Sequence, residues 1–383
     1  MFHELLNQPR PYAWGDSFSI AHWQGRTPSG QPEAELWWGT HPGSEAQVLL
    51  ETGQSVSLSS WLGENNKPVE LPFLVKLLAA DKPLSIQVHP SKAQAESGFA
   101  KENLRGTALD SPSRNYRDDS DKPEIMIAWS EEFHALVGFQ NPENAAHTLA
   151  TIQQALSNPV ITAPLEQAVA GGSGSLASWL FSGEREVVDL AVALEHAWST
   201  NGSFSESAPE VWRRVASHYP GDPGLLAALF LNHVILKRGQ ALFVPAGIPH
   251  AYLEGFGLEV MAPSDNVLRG GLTPKHVDRA ELLAILHTDP VDQAVVKQLA
   301  IVPQGERFAP AGVSFEVMRF SGNDLIIPIL SARAVVVVVE SGEFHSGDEL
   351  DPALVAGKAY IGLGSENPPS LTGSGSVFVV SGI

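Results

Sequence analysis

Cysteine is absent from the 383-residue chain, which excludes disulfides, thiolate metal ligands, iron–sulfur clusters and cysteine nucleophiles, and fits a reducing compartment. Basic runs are also missing. The balance is 24 Lys+Arg against 43 Asp+Glu, a formal net charge of −19, so neither a nucleic-acid backbone nor a polybasic membrane contact is an expected partner. Met1-Phe2-His3-Glu4 carries no charged-then-apolar leader pattern, and no stretch approaches ~18 consecutive apolar residues. The expectation is a cytoplasmic protein, working as a monomer. Any anionic ligand must meet a local cationic pocket within an acidic whole. Hydrophobic residues make up 43% and charged residues 17% of the chain. That excludes global disorder, and the length corresponds to about two or three domains.

Residues 1–140 read as strand and loop, with glycines, prolines and tryptophans punctuating runs such as Leu71–Leu78 and Leu84–Val88. From Asn141 the character changes. Asn141 is a good cap, Pro142 suits the first helical position, and Ala145, Leu149, Ile152 and Leu156 follow at helical spacing until Asn158-Pro159. Further helical patterns run from Glu184 to Trp198, after Ser207, and over Gly224–Asn232. Gly171–Ser175 reads as a flexible loop between them. Strand signals return at His233–Leu236, Ala241–Val244 and Gly257–Met261, and one more helix is expected over His276–His287. From Ile301 the chain is strand again. Ala334–Glu340 is β-branched and near-continuous, the pattern of a strand buried on both faces. The order is β, helical, β, β, and short strands with glycine turns point to jelly-roll sheets.

Three stretches could carry chemistry. In Ser85-Ile86-Gln87-Val88-His89-Pro90, strand alternation puts Gln87 and His89 on one side, with Pro90 ending the strand. Gly239 to His250 reads G-x5-P-x-G-x2-H and delivers a histidine to the inner end of a strand. This second spacing resembles the latter half of the metal signature of cupin barrels, although the usual asparagine four residues on is Glu254. The third runs from Leu258 to Lys275. In it Glu259 and Met261 share a strand face, Ser264-Asp265-Asn266 turns, and Arg269 precedes a double glycine. Thr273-Pro274-Lys275 is expected to open a helix with Thr273 as cap. Cations and a helix N-terminus there would suit a phosphate.

These stretches, with Pro11–Gly15, Ala34–Pro42, Leu71–Lys76, Lys122-Pro123-Glu124 and Pro249–Tyr252, resemble the type I mannose-6-phosphate isomerases, zinc-dependent members of the cupin superfamily. The likeness covers most of the chain and is densest from Glu259 to Lys275. It implies a mainly β fold with an α insertion: a cupin catalytic barrel from 1–140 and 232–300, a helical insertion at 141–231, and a second jelly-roll at 301–383. It also implies one Zn²⁺ per chain on Gln87, His89, Glu124 and His250, a donor set that suits a divalent ion with a place left for substrate. The helical insertion should pack over one rim of the site and supply no ligand, leaving His147, His196 and His218 as ordinary residues. Asp121 stands where many relatives have a histidine before Lys-Pro-Glu.

The implied reaction is reversible interconversion of D-mannose 6-phosphate and D-fructose 6-phosphate through an enediol. Lys122, Glu259 or a metal-bound water would be the base, Arg269 would polarise the enediolate or hold substrate, and an ion pair between Arg269 and Asp265 is the structural alternative. Lys76, Ser85 and Lys275 are the phosphate candidates, with Lys92 behind them. The rival readings are an iron-dependent cupin oxygenase, which Gln87 disfavours, and a catalytically silent sugar- or metal-binding cupin, which Lys122, Glu124 and Arg269 disfavour.

Overall fold

The β-branched run from Ala334 forms the strand Ala334–His345, whose first seven residues are all buried. It pairs with Ala359–Leu363 on one side and Ser370–Gly382 on the other. The computed structural model describes residues 2–200, 203–291, 295–296, 300–302, 305–326, 334–348, 351–363 and 370–383. Turns expected within 364–369 lie outside these. The described strands form two large antiparallel sheets and one short hairpin.

The C-terminal sheet is extended by strands from the other end of the chain. Phe2–Leu6 pairs with the edge of Ala359–Leu363, then Gln47–Leu49 and Ser55–Ser57 follow. The expectation that residues 1–140 lie wholly with the catalytic sheet therefore needs correction. An unpaired edge at Ala359–Leu363 would expose a row of backbone donors and acceptors, and the N-terminal strands cover it.

The second sheet turns about the strand His250–Met261. Its first half pairs with Glu132–Phe139 and with Gln87; its second half pairs with Leu74–Ala80 and Glu124–Ala128. The register shifts between Tyr252 and Glu254. Gly255, at φ +134°, sits in the shift, where an added Cβ would lie 2.6 Å from the Phe133 ring. The bend delivers residues from one strand to two walls of a common interior.

Between the strands Glu132–Phe139 and Leu231–Lys237 lie six helices: Pro142–Leu156, Pro159–Ala170, Ser173–Leu180, Arg185–Trp198, Glu210–Ala216 and Gly224–Phe230. Asn141 caps the first, with Pro142 at its start, as its sequence dictates. Gly171–Ser175 is not the loop expected from its glycines. Gly172, at φ +84°, turns the chain, and Ser173 already begins the next helix. The helical core packs against Ile86, Val88, Leu136 and Leu268, so the alternate residue Gln87 faces away from the helices. The strand-and-loop reading of 1–140 missed three helices, Ser19–Trp23, Leu58–Glu64 and Lys92–Leu104, the last capped by a reciprocal Ser91–Gln94 box. No helix among the described residues is long and apolar enough to cross a membrane.

Candidate metal centre and substrate cavity

His89 follows the short strand Ile86–Val88, and its carbonyl accepts from Gly247 N–H at 2.8 Å. This bond joins the turn before His250 to the end of the Gln87 strand. Glu124 opens the strand Glu124–Ala128 and lies opposite Met261. The side chains of His89, Glu124 and His250 meet in one buried cluster, with one ligand atom from each within 4.8 Å of the others. Gln87 is the cross-strand neighbour of His250 on one side and of Arg269 on the other, so these three side chains share a face.

Each imidazole is oriented from behind. His89 Nδ1 lies 2.8 Å from Asn266 O, and His250 Nδ1 lies 3.0 Å from Ile248 O. A nitrogen facing a carbonyl must carry the proton, so both Nε2 atoms present lone pairs to Glu124. His89 Nε2 is 3.2 Å from Glu124 Oε1 yet has no hydrogen-bond partner. His250 Nε2 is 3.5 Å from Oε2. Two imidazole lone pairs converging on a carboxylate, all buried, are mutually repulsive unless a cation lies among them. The donor set therefore fits a divalent ion such as Zn²⁺. Lys122 Nζ, at 3.0 Å, and the Tyr252 hydroxyl, at 3.1 Å, donate to the same carboxylate. Burial, then Lys122, push the His89 pKa down to about 4. Burial alone would raise Glu124, but Lys122 and His89 outweigh it and hold its pKa well below the ordinary range.

A cavity of about 360 Å³ adjoins this cluster, with Gln87 and Lys122 on its wall. One side holds a neutralised charge network. Lys76 Nζ is 3.2 Å from Glu259 and 3.8 Å from Glu35, and lies over the Trp37 ring. Burial would lower the Lys76 pKa, but Glu35, Glu259 and Glu124 raise it well above normal. Burial raises Glu259. Lys76 thus has its charge matched by two carboxylates and is poorly suited to hold a phosphate, contrary to expectation. Glu259 is its cross-strand neighbour and, unlike Lys76, does not line the cavity. His41 accepts Gly43 N–H at Nδ1, which leaves Nε2–H facing Asp265 at 3.4 Å.

The other side is cationic. Arg269 and Lys275 both line the cavity, and among the described residues neither side chain has a hydrogen-bond or ion-pair partner. Burial lowers both pKa values; Arg117 adds to the effect on Arg269, and Arg269 and Arg117 to that on Lys275. Asp265 is therefore not the partner of Arg269. Thr273 does not cap a helix: the next one is Arg279–Ile285, capped by Asp278, with Thr273–Lys275 in a bend before it. Asp278 competes better as a cap, and its side chain accepts from Glu281 N–H.

Ser85 lines the cavity, whereas Lys92 does not. Lys92 starts the third of the missed helices, half-exposed, bonded to Asp119 and near Glu96. His147, His196 and His218 are exposed and remote from the cluster. Tyr12, Trp14, Glu35, Trp37, His41 and Tyr219 are wall residues that received no site role from the sequence, although all but Tyr219 lie in the stretches Pro11–Gly15 and Ala34–Pro42 that carry the resemblance. Asn266, fully buried and bonded to Arg117, Asp118 and Ser120, holds the carbonyl that orients His89. Its signal was the Ser-Asp-Asn turn, read only as a turn.

A family model for the catalytic domain of type I phosphomannose isomerase matches residues 2–142. The mannose-6-phosphate isomerase of Salmonella typhimurium is 36% identical over 391 residues, covering 97% of this chain and 97% of that protein. The human enzyme of the same name is 35% identical over 284 residues, 68% of this chain and 64% of its own. A crystal structure of zinc-bound mannose 6-phosphate isomerase superposes with a TM-score of 0.87 at 33% identity, covering 100% of this chain and 99% of that one. The Salmonella typhimurium enzyme bound to fructose 6-phosphate and zinc also gives 0.87 at 33% identity, with the same coverage. Sequence likeness over nearly the whole chain, together with a shared fold, shows that the chain belongs to the type I phosphomannose isomerase family.

Proposed function

We propose that this protein interconverts D-mannose 6-phosphate and D-fructose 6-phosphate, using one Zn²⁺ held by Gln87, His89, Glu124 and His250. The observation that carries the reading is the buried cluster with converging lone pairs, set beside a cavity whose wall also bears the unpaired cations Arg269 and Lys275. Relatives named for this reaction, and a related structure holding fructose 6-phosphate and zinc, speak for the same substrate.

The reaction moves a proton between C2 and C1 of the open-chain sugar while the hydroxyl and carbonyl exchange places. When bound, zinc supplies Lewis-acid polarisation of the substrate oxygens. Lys122, on the cavity wall and 3.0 Å from Glu124, is better situated to carry that proton than Glu259, which is paired with Lys76 and does not line the cavity. Arg269 shares a face with Gln87 and meets the negative charge that develops on O1 and O2. Lys275, with Ser85, meets the phosphate. His41, hydrogen-bonded towards Asp265, is the imidazole available for ring opening in place of the histidine that Asp121 replaces.

We assign the catalytic unit to the sheet around His250–Met261 and the insertion to 141–231, with a C-terminal unit from 301 that borrows strands from residues 2–57. The chain is proposed to act as a cytoplasmic monomer, which sedimentation of the purified protein would check. Formation of fructose 6-phosphate from mannose 6-phosphate, read in a coupled assay, tests the main reading. A protein that binds the sugar phosphate without turnover would be the silent cupin. Activity appearing only with iron and dioxygen would be the oxygenase.

A further inference from the structure

Among the described residues of the helical insertion, Tyr219 lines the cavity, and the turn it opens, Tyr219–Gly224, grips two segments that carry polar residues of the cavity wall. Asp222 is its centre. Its Oδ1 accepts from Gly224 N–H at 2.7 Å within the turn, and its Oδ2 accepts from Thr273 N–H at 3.1 Å across the gap. Thr273 is two residues from Lys275 and four from Arg269. At the other end of the turn, the Tyr219 hydroxyl donates to Pro83 O at 2.6 Å, two residues before Ser85. The turn is itself pinned, because Gly221 N–H donates to Glu195 Oε2 at 2.8 Å and Asp222 N–H to Tyr219 O at 3.1 Å.

The gripped loop does not adopt an ordinary conformation. Leu272, a fully buried residue, is held at φ +54°, where a side chain is disfavoured. Gly271 next to it stands at φ +141°, and its backbone packs on Gly224. A Cβ on Gly224 would lie 2.8 Å from Leu272 N and 2.9 Å from Gly271 Cα; one on Gly271 would lie 2.7 Å from Gly224 Cα. Both contacting positions must therefore be glycine. Conformations of this kind persist only when surrounding bonds over-determine them, and among the described residues the Asp222–Thr273 bond is the hydrogen bond that crosses from the insertion to this loop.

We propose that Asp222 is a positioning residue for the isomerase reaction: with Tyr219 it locks the Arg269–Lys275 loop and the Pro83–Ser85 segment into one binding geometry, so the insertion sets the cationic wall rather than only covering it. This rests on the isomerase reading for its kinetic consequences. The carboxylate itself touches no substrate.

Asp222→Asn tests this with little change of shape. The amide can still accept from Gly224, but it turns an N–H₂ towards Thr273 N–H. Freed from its hold, the loop misplaces Arg269 and Lys275 together. For fructose 6-phosphate, KM should rise at least about threefold and kcat should fall about tenfold, with zinc per chain unchanged. A merely structural defect would lower kcat in step with zinc content and leave KM alone; that result overturns the proposal. In a Lys275→Ala background, Asp222→Asn should raise KM no further, and a full additive rise also counts against it. Binding of inorganic phosphate to the zinc-loaded protein, measured by calorimetry, should weaken at least about threefold in Asp222→Asn whatever the turnover. Unchanged phosphate affinity overturns the positioning role, while absence of wild-type turnover counts only against the isomerase reading. Should Asp222→Asn not yield folded protein, Tyr219→Phe removes one hydroxyl bond and keeps the ring. It should weaken phosphate binding by a similar factor, and wild-type affinity there overturns the proposal.

Discussion

Two close histidine pairs share neighbouring strands. His89 and His250 have ring centroids 4.9 Å apart, and His134 and His233 have theirs 5.2 Å apart. In the first pair each Nδ1 is spent on a backbone carbonyl, so both Nε2 lone pairs turn to Glu124. In the second, His134 Nδ1 and His233 Nε2 bond to each other at 3.0 Å, so one ring's lone pair is satisfied by the other ring's proton. Its carboxylate neighbour, Glu132, is bonded to Lys237. Nearness of two imidazoles does not make a metal centre; what lies behind each ring decides where its lone pair goes.

The comparison is broken most directly by alanine. His89→Ala or His250→Ala should remove zinc and at least about 10³-fold of activity, since the Lewis acid is lost with its ligand. His134→Ala and His233→Ala should leave zinc stoichiometry intact, as should alanine at His147, His196 or His218. Metal analysis on the purified variants checks both halves, and zinc loss from the second group would relocate the site.

The next largest effect concerns the unpaired cations. Arg269→Ala should lower kcat about 10²-fold with zinc retained and KM altered less, the scale of one lost transition-state donor. Arg269→Lys keeps charge without the planar fork and should recover only part. If Arg269→Ala instead raised KM with kcat nearly intact, Arg269 would be a phosphate clamp. Lys275→Ala should raise KM about tenfold with a smaller change in kcat, because phosphate charge is the same in substrate and transition state. Steady-state kinetics separate these outcomes.

Acid should sharpen the contrast between the pairs. His233 is pushed down to about 4, first by burial and then by His134, and His134 is lowered chiefly by burial. In the unfolded chain both take up protons near pH ~6.5, while the folded pair resists. The unfolded state thus binds more protons in this window, and stability declines as pH falls from about 6.5 towards 4. His233→Gln should flatten the decline in unfolding free energy between about pH 7 and 5, by an amount of order 1 kcal/mol after allowance for partial exposure, read by denaturant melts across that range. Zinc should stay bound in that variant as in the wild type. At the first pair, protons compete with the metal for imidazole, so acid should release zinc there.

The sequence made some of this legible and not the rest, for physical reasons. Gln87 and His250 were readable because strand period and a proline-glycine stop are local. The Asn141 cap and the buried Ala334–Glu340 strand were readable for the same reason. Glu124 had no local signal and came only through family likeness. Lys76 and Glu259 face each other across two strands paired at Glu259–Lys76, a register no linear pattern states, so the carboxylates that neutralise Lys76, read in the sequence as a phosphate candidate, were not foreseen. Lys92 was misread because the Ser91–Gln94 capping box that puts it on an exposed helix was overlooked. Asp222 and Tyr219 act through backbone partners about 50 and 136 residues away, where composition carries no information.

The central claim is that turnover depends on one zinc at His89, Glu124, His250 and Gln87. Stepwise removal of metal from the wild-type protein by a chelator, with zinc per chain and fructose 6-phosphate formation measured on the same samples, tests it most directly. Activity should fall in proportion to bound zinc, reach zero as zinc does, return when zinc is added back, and leave most of the fold retained throughout. Full activity in zinc-free protein would contradict the claim.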